Sequence, residues 1–207
     1  MGNRIITISR EFGSGGRELG KRLSDQLGVP YFDREILEEL SKRLNLEKDY
    51  IQKITETYPF GATLHFNRSF RVYSQVTQGY AEILGSQDKL LKEIAGQESC
   101  IIVGRSANAI LKEYEPFNIF VYADSQSKIK RCKERAAETE VISEKVLLLQ
   151  MKEIDRARAK TQELFSSSKW GEKSGYHLCI NTSKQEIKNL IPAIMTYITA
   201  WFEGRNL

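Results

Sequence analysis

RIITISREFGSGGRELGKRLSDQLG, residues 4–28, decides the fold. Residues 4–9 are rich in β-branched apolar side chains, the composition of a buried strand. Leu19, Leu23 and Leu27 then recur at a spacing of four, which is one face of a helix, and Gly28 and Pro30 stop it. Between strand and helix stand Gly13, Ser14, Gly15 and Gly16. Glycines let the backbone approach phosphates, and a helix N-terminus offers free N–H groups at the positive end of its dipole. A bare tight turn has the same local pattern. Position favours the phosphate reading: ligands of open α/β sheets bind outside the carboxyl ends of the strands, and this turn follows the first one.

Strands and helices alternate along the rest of the chain. VPYFD (29–33) reads as a second strand, with Asp33 able to N-cap the helix REILEELSKRL. Residues 45–58 and 70–95 read as helices, the second with weak points at Gly79 and Gly85. CIIVG (100–104) has the unbroken apolar character of a strand buried on both faces. SANAILKEY follows as a helix, FNIFVYA (117–123) as a strand, and Asp124 or Ser125 caps the next helix. A long helix is expected from Ser143 to about Phe165, then a last strand at 176–181 and a final helix that Pro192 kinks or breaks. This alternation predicts an α/β fold, doubly wound around a mainly parallel five-stranded sheet with helices on both faces.

Composition narrows the function classes. The 207 residues suit one domain, and 28% charged against 41% apolar is a soluble globular mixture. Net charge is +4, with 31 basic residues against 27 acidic ones, so a phosphate-rich ligand suits the chain and nucleic acid is not argued for. Cys100, Cys132 and Cys179 lie far apart, which predicts reduced thiols and a cytoplasmic location; no signal peptide or membrane span is expected. The metalloprotease, redox CxxC and GxSxG signatures do not occur.

The motifs GSGGRELG after ISREF, PYFDREIL, IIVGRSAN, DRARAK and INTS occur in that order. Together they resemble the cytidylate-kinase-like family of P-loop nucleoside monophosphate kinases, over the whole chain. The resemblance implies a single domain, 1–207, with a mobile helical acceptor region at about 34–97 and a lid at about 133–160. It implies ATP as co-substrate, with Mg2+ a possible companion, and a nucleotide and a small-molecule acceptor as partners.

Carried over by position, Gly13, Ser14, Gly15 and Gly16 supply amides to the ATP phosphates, and Arg17 stands at the loop lysine. An arginine keeps its charge and offers two donors, but it is planar and bulkier than lysine. Without an anion, a cation there opposes the helix dipole. Glu11 replaces the loop's opening glycine, Glu18 stands at the magnesium-binding hydroxyl, and Val103 stands at the Walker-B carboxylate. Glu18 and Asp33 are therefore the candidate metal ligands, and Glu18 alternatively just favours its helix N-terminus. Asp33 matches an Asp facing the acceptor, and Arg105 matches the arginine that reaches the acceptor's phosphate; the Asp that follows it in that family is Ser106 here.

Lys128, Arg131 and Arg135 share a helix face, as do Lys152, Arg156 and Lys160, with Asp155 and Arg158 beside them. Arg131, Arg135, Arg156 and Arg158 are the implied phosphate-clamping residues, and Asn181 and Thr182 the adenine contacts. Such faces are otherwise solvated surface. Residues 58–75, with His65, Arg68 and Arg71, fall in the acceptor region or face a second subunit, and the long helix at 70–95 offers a homodimer surface. His177, Trp170 and Trp201 read as packing residues.

Three functions stay open. The first is an ATP-dependent phosphotransferase, with Arg17, Asp33, Arg105, Arg156 and Arg158 in the catalytic set and Asp33 the base for a hydroxyl acceptor. The second is a nucleotide-binding protein that keeps the fold without catalysis. A metal-free P-loop group transfer such as sulfuryl transfer is a third.

Overall fold

A computed structural model describes residues 2–57, 70–135 and 143–204. Five strands form one sheet: β1 Ile5–Arg10, β2 Tyr31–Phe32, β3 Cys100–Val103, β4 Phe117–Tyr122 and β5 Leu178–Asn181. The order is β2-β3-β1-β4-β5 and every pairing is parallel. The helices are α1 Gly16–Leu27, α2 Arg34–Leu44, α3 Lys48–Thr57, α4 Phe70–Gln97, α5 Ala107–Ile110, α6 Ser125–Arg135, α7 Glu144–Glu163 and α8 Ile187–Gly204.

Strand periodicity explains the layers. Ile6 and Ile8 of β1 share a cluster with Ile101, Val103, Ile119 and Val121, against Leu19 and Leu23 of α1 and the Ile187, Ile191, Ile194, Ile198 stripe of α8. Ile5, Cys100 and Ile102 point the other way, into a cluster built with α2, α3, α4 and α5. Helices thus cover both faces. β1 lies between β3 and β4, and the chain leaves it in one direction to β2 and later crosses back to β4. The reversal opens a crevice at the carboxyl end of β1, where Arg10 and the glycine turn lie.

Several local expectations need correction. Asp33 occupies the N-cap of α2, but its side chain makes no capping hydrogen bond; the Glu35 carboxylate instead accepts from the Asp33 N–H at 3.0 Å. The expected helix at 106–114 is a four-residue α5 followed by a 3-10 turn at Lys112–Tyr114, because Arg105 and Ser106 adopt positive φ and delay its start. α4 runs through Gly79 and Gly85, and α8 through Pro192. Asp124, rather than Ser125, caps α6: its carboxylate accepts from the Ser127 N–H at 2.7 Å. Among the described residues no helix is long and apolar enough to cross a membrane.

Candidate active site

The site is built around the turn between β1 and α1. The Glu11 N–H donates to the Val121 carbonyl, and the Ser14 hydroxyl donates to the Glu11 carbonyl at 2.8 Å. The Phe12 N–H donates to the Asp155 carboxylate at 2.7 Å, which ties the turn to α7. The Ser14 carbonyl accepts from the buried Thr182 hydroxyl at 2.7 Å. These bonds use the back of the turn. The N–H groups of Gly13, Gly15, Gly16, Arg17 and Glu18 have no acceptor among the described residues. Five amides left open at one helix N-terminus make a cradle of donors of the kind that suits an anion.

Close packing explains the glycines. A Cβ on Gly15 would lie 2.6 Å from Ile187 of α8, and one on Gly16 would lie 2.6 Å from the Arg10 stem. Both Gly13 and Gly15 have positive φ.

Arg10, which the sequence reading passed over, is the hub. Its side chain is 11% exposed and its guanidinium is 3.6 Å from Asp33. Arg17 reaches the other oxygen of Asp33 at 2.7 Å. Burial first, then the neighbouring charge of Arg158, hold the Arg10 pKa down at about 9; Asp33 opposes the shift, and Arg17 and Arg105 add to it. Two arginines therefore pair with Asp33, and the charges of Arg158 and Arg105 lie close enough to act on Arg10. The signal that could have found Arg10 is the one that found Arg105: a cation at the carboxyl end of a buried strand needs a partner or a cleft.

Arg105 follows β3 in an unusual turn. Gly104, Arg105 and Ser106 have φ values of +76°, +57° and +51°. Left-handed backbone at a residue with a Cβ costs on the order of 1–2 kcal/mol. The turn delivers the Arg105 guanidinium to Thr55 of α3 at 3.3 Å, while Gln87 of α4 donates to the Arg105 carbonyl at 3.1 Å. A Cβ on Gly104 would overlap the Arg10 guanidinium, so the glycine makes room for that side chain. Arg158 of α7 donates to the Arg10 carbonyl and to Asp155, both at 3.0 Å. Burial raises the pKa of Asp155, against the pull of Arg158 and of the Phe12 N–H. Arg10, Arg105 and Arg158 line one cavity of about 50 Å³, together with Gln87 and Trp170.

The remaining candidates lie elsewhere. Glu18 pairs with Arg22 at 2.9 Å and with Arg135 at 3.0 Å. Arg131 donates to the carbonyls of Thr182 and Gln185, so its guanidinium ties α6 to the segment after β5. Asn181 is exposed and accepts from the Ser183 N–H at 3.0 Å. Arg156 sits on an exposed face of α7 and does not line the cavity. A second, broader groove of about 1000 Å³ runs past Glu18, Arg131, Arg135 and Gln185. His177 stacks on Phe117, with Trp201 packed beside both. His65 and Arg68 lie outside the described residues, and Arg71 falls on α4.

The residues do not fit a protein-built magnesium shell. Glu18 and Asp33 are each held by arginines, Val103 is apolar and fully buried, and the described residues contain no group of three candidate ligands.

The family model described as "Cytidylate kinase-like family" matches residues 5–184. An uncharacterized protein from Eubacterium ventriosum is similar at 28% identity and a TM-score of 0.70, over 95% of this chain and 99% of that one. Shikimate kinase from Acinetobacter baumannii matches at 13% identity and a TM-score of 0.54, over 96% and 94% of the two chains. A gluconokinase from Sinorhizobium meliloti matches at 13% identity and 0.56, over 99% and 95%. These last two show the fold, that of the P-loop kinases. No curated protein matches the chain.

Proposed function

We propose, from the premise that this chain belongs to the cytidylate kinase-like family, that it is an ATP-dependent phosphotransferase acting on a small acceptor. One observation carries the reading: the open amides of residues 13 and 15–18 and the arginines at 10, 17, 105 and 158 lie around one crevice at the carboxyl end of β1. The β- and γ-phosphates of ATP lie on the amides. The nucleoside lies along the groove between α1, α6 and the segment after β5, where Arg135 and Glu18 face it. Residues at about 133–160 act as the lid and those at about 34–97 as the acceptor region.

Transfer is an in-line exchange at the γ-phosphorus. A new bond forms to the acceptor oxygen, and the bond to the β–γ bridging oxygen breaks with its electron pair leaving on ADP. Arg17 and Arg10 face the charge that spreads over the equatorial oxygens, and Arg158 and Arg105 hold the acceptor's anionic group. Arg17 does this from its pair with Asp33, and each arginine offers two donors where a lysine offers a point charge. For an acceptor that is already an anion no base is needed; for a hydroxyl, Asp33 takes the proton. Kinases of this P-loop class use ATP with Mg2+. A magnesium ion brought in on the nucleotide phosphates would neutralise charge there, without a shell from this chain.

A second reading, nucleotide binding without catalysis, rests on Arg17 at the lysine position and on the missing magnesium ligands. Mg2+-dependent ADP formation against a panel of acceptors separates the two. The phosphotransferase reading predicts turnover with at least one acceptor. Tight ATP binding with no turnover on any acceptor supports the second.

A further inference from the structure

The cavity beside the cradle is selective in its chemistry. Its lining comes from four elements of the fold, β1, α3, α4 and α7, and from two loops, and converges on a space of about 50 Å³. A single water needs roughly 10–15 Å³ by that measure, so the space holds a few heavy atoms, whereas sites for drug-sized ligands run to several hundred Å³. Arg10, Arg105 and Arg158 line it, and no carboxylate does among the described residues. Arg10 and Arg158 are balanced behind the wall by Asp33 at 3.6 Å and Asp155 at 3.0 Å, and three guanidinium groups converging on one space with no carboxylate in its lining suit an oxyanion.

A second observation adds a requirement. Gln87 is 1% exposed and lines the same cavity. Its amide nitrogen donates to the Arg105 carbonyl, which fixes the amide and leaves the Oε1 atom buried without a hydrogen-bond partner. A buried acceptor is rarely left unmade. A carboxylate or a fully ionised phosphate brings only acceptors and cannot satisfy it. The occupant needs an O–H next to its anionic group. A second buried acceptor lies beside the cavity: Oδ1 of Asp33 makes no hydrogen bond, although Arg10, which lines the cavity, stands 3.6 Å from it.

We propose that the acceptor is a small hydroxylated oxyanion rather than a nucleoside monophosphate. Arg10, Arg105 and Arg158 hold its anionic group, and Gln87 Oε1 accepts from the adjoining hydroxyl. Arg10 is the specificity residue that joins this cavity to the cradle. The proposal rests on the phosphotransferase reading above and names its acceptor class. Transfer then goes to a further hydroxyl of the same molecule. Its oxygen forms the new bond to the γ-phosphorus, its proton passes to Asp33 Oδ1, and ADP leaves with the electron pair of the broken bond. The shared chemistry, an oxyanion with a hydroxyl on a neighbouring carbon, occurs both in polyol phosphates and in hydroxycarboxylates.

Calorimetric titration of the full chain without ATP tests it. The probes are inorganic phosphate, glycerol 3-phosphate with propyl phosphate as its deoxy analogue, glycerate with propionate, and cytidine monophosphate. A hydroxylated member binding at least about tenfold tighter than its deoxy analogue is expected, because a site built for a hydroxyl discriminates strongly against its loss. The phosphate and carboxylate arms show which anion is preferred. Gln87→Leu should erase that difference while leaving inorganic phosphate affinity within about twofold. Arg10→Met should weaken every anion at least about tenfold. Arg10→Lys, which keeps the charge, serves as the second variant, and thermal melts confirm that each variant folds.

Equal binding of hydroxylated and deoxy probes, or cytidine monophosphate binding tighter than all of the small anions, overturns the proposal. Turnover assays separate it from the reading it rests on. Phosphorylation of cytidine monophosphate would leave the phosphotransferase standing and sink the acceptor class. Gln87-dependent binding of a hydroxylated anion without any ATP consumption would keep the ligand class and sink the phosphotransferase.

Discussion

Replacing Arg10 by methionine is expected to stabilise the ligand-free protein while removing its response to anions. The wild-type guanidinium is buried beside Arg158, Arg17 and Arg105, and its pKa is lowered by more than three units to about 9. At about 1.4 kcal/mol per pH unit this amounts to a cost on the order of 5 kcal/mol for keeping it charged at neutral pH. That figure is a ceiling, because methionine keeps the stem but gives up the attraction to Asp33 at 3.6 Å. Asp33 retains Arg17 at 2.7 Å, so no carboxylate is stranded. A net gain of about 1–3 kcal/mol follows, since apolar replacement of buried charges is commonly neutral or stabilising. For a chain of this size that raises Tm by roughly 3–10 °C.

The pH dependence has a definite sign. Burial and the neighbouring arginines lower the native Arg10 pKa to about 9, whereas in the unfolded chain the guanidinium keeps its ordinary, far higher value. Between these values the unfolded state binds more protons, so wild-type stability rises with pH. The penalty is complete below pH 9 and fades as pH climbs through it. The advantage of the variant should therefore be flat from about pH 6 to 8 and shrink by about pH 10. Thermal and urea unfolding of both proteins, with and without inorganic phosphate, measures this. A variant less stable than wild type at neutral pH, a gap unchanged at high pH, or equal stabilisation of both by phosphate would refute the reasoning.

Gly104→Ala should cost about 1–3 kcal/mol in denaturant unfolding, from left-handed strain and displacement of Arg10. It should also weaken phosphate binding about tenfold, and combined with Arg10→Met the binding losses should fall short of additive, as expected for side chains in contact. Asp155→Ala removes the acceptor of the Phe12 N–H and the partner of Arg158. It should lower stability by about 1–3 kcal/mol and raise KM for ATP more than it lowers kcat, as measured in steady-state kinetics. Arg17→Ala should reduce kcat about 100-fold with a smaller change in ATP affinity, and Arg17→Lys should recover part of the loss.

The parallel sheet and its two helical layers are legible in the chain because each strand is a short apolar run and each helix carries its own stripe. The cradle is legible for the same reason: glycines, strand end and helix start are neighbours in sequence. What sequence order hides is the cavity. Thr55 and Gln87 are unremarkable positions on two separate helices, and Arg158, which the DRARAK motif singles out, lies on a third; only the packing of α3, α4 and α7 over the strand ends brings them to Arg10 and Arg105. Arg10 itself reads as the tail of a strand until its burial is seen. Asp33 reads as a helix cap because its place at the start of α2 is local, whereas its pairing with Arg17 from α1 is not. Trp170, read as packing, does pack edge-on against Phe120, and it also closes the cavity.

The most direct test of the account follows 31P resonances of ATP with the protein, Mg2+ and each small hydroxylated anion in turn. A phosphotransferase of this kind gives loss of the γ-phosphate signal, growth of ADP, and a new phosphate-ester signal of equal intensity that Arg10→Met suppresses. ATP that binds and stays intact with every acceptor would contradict it.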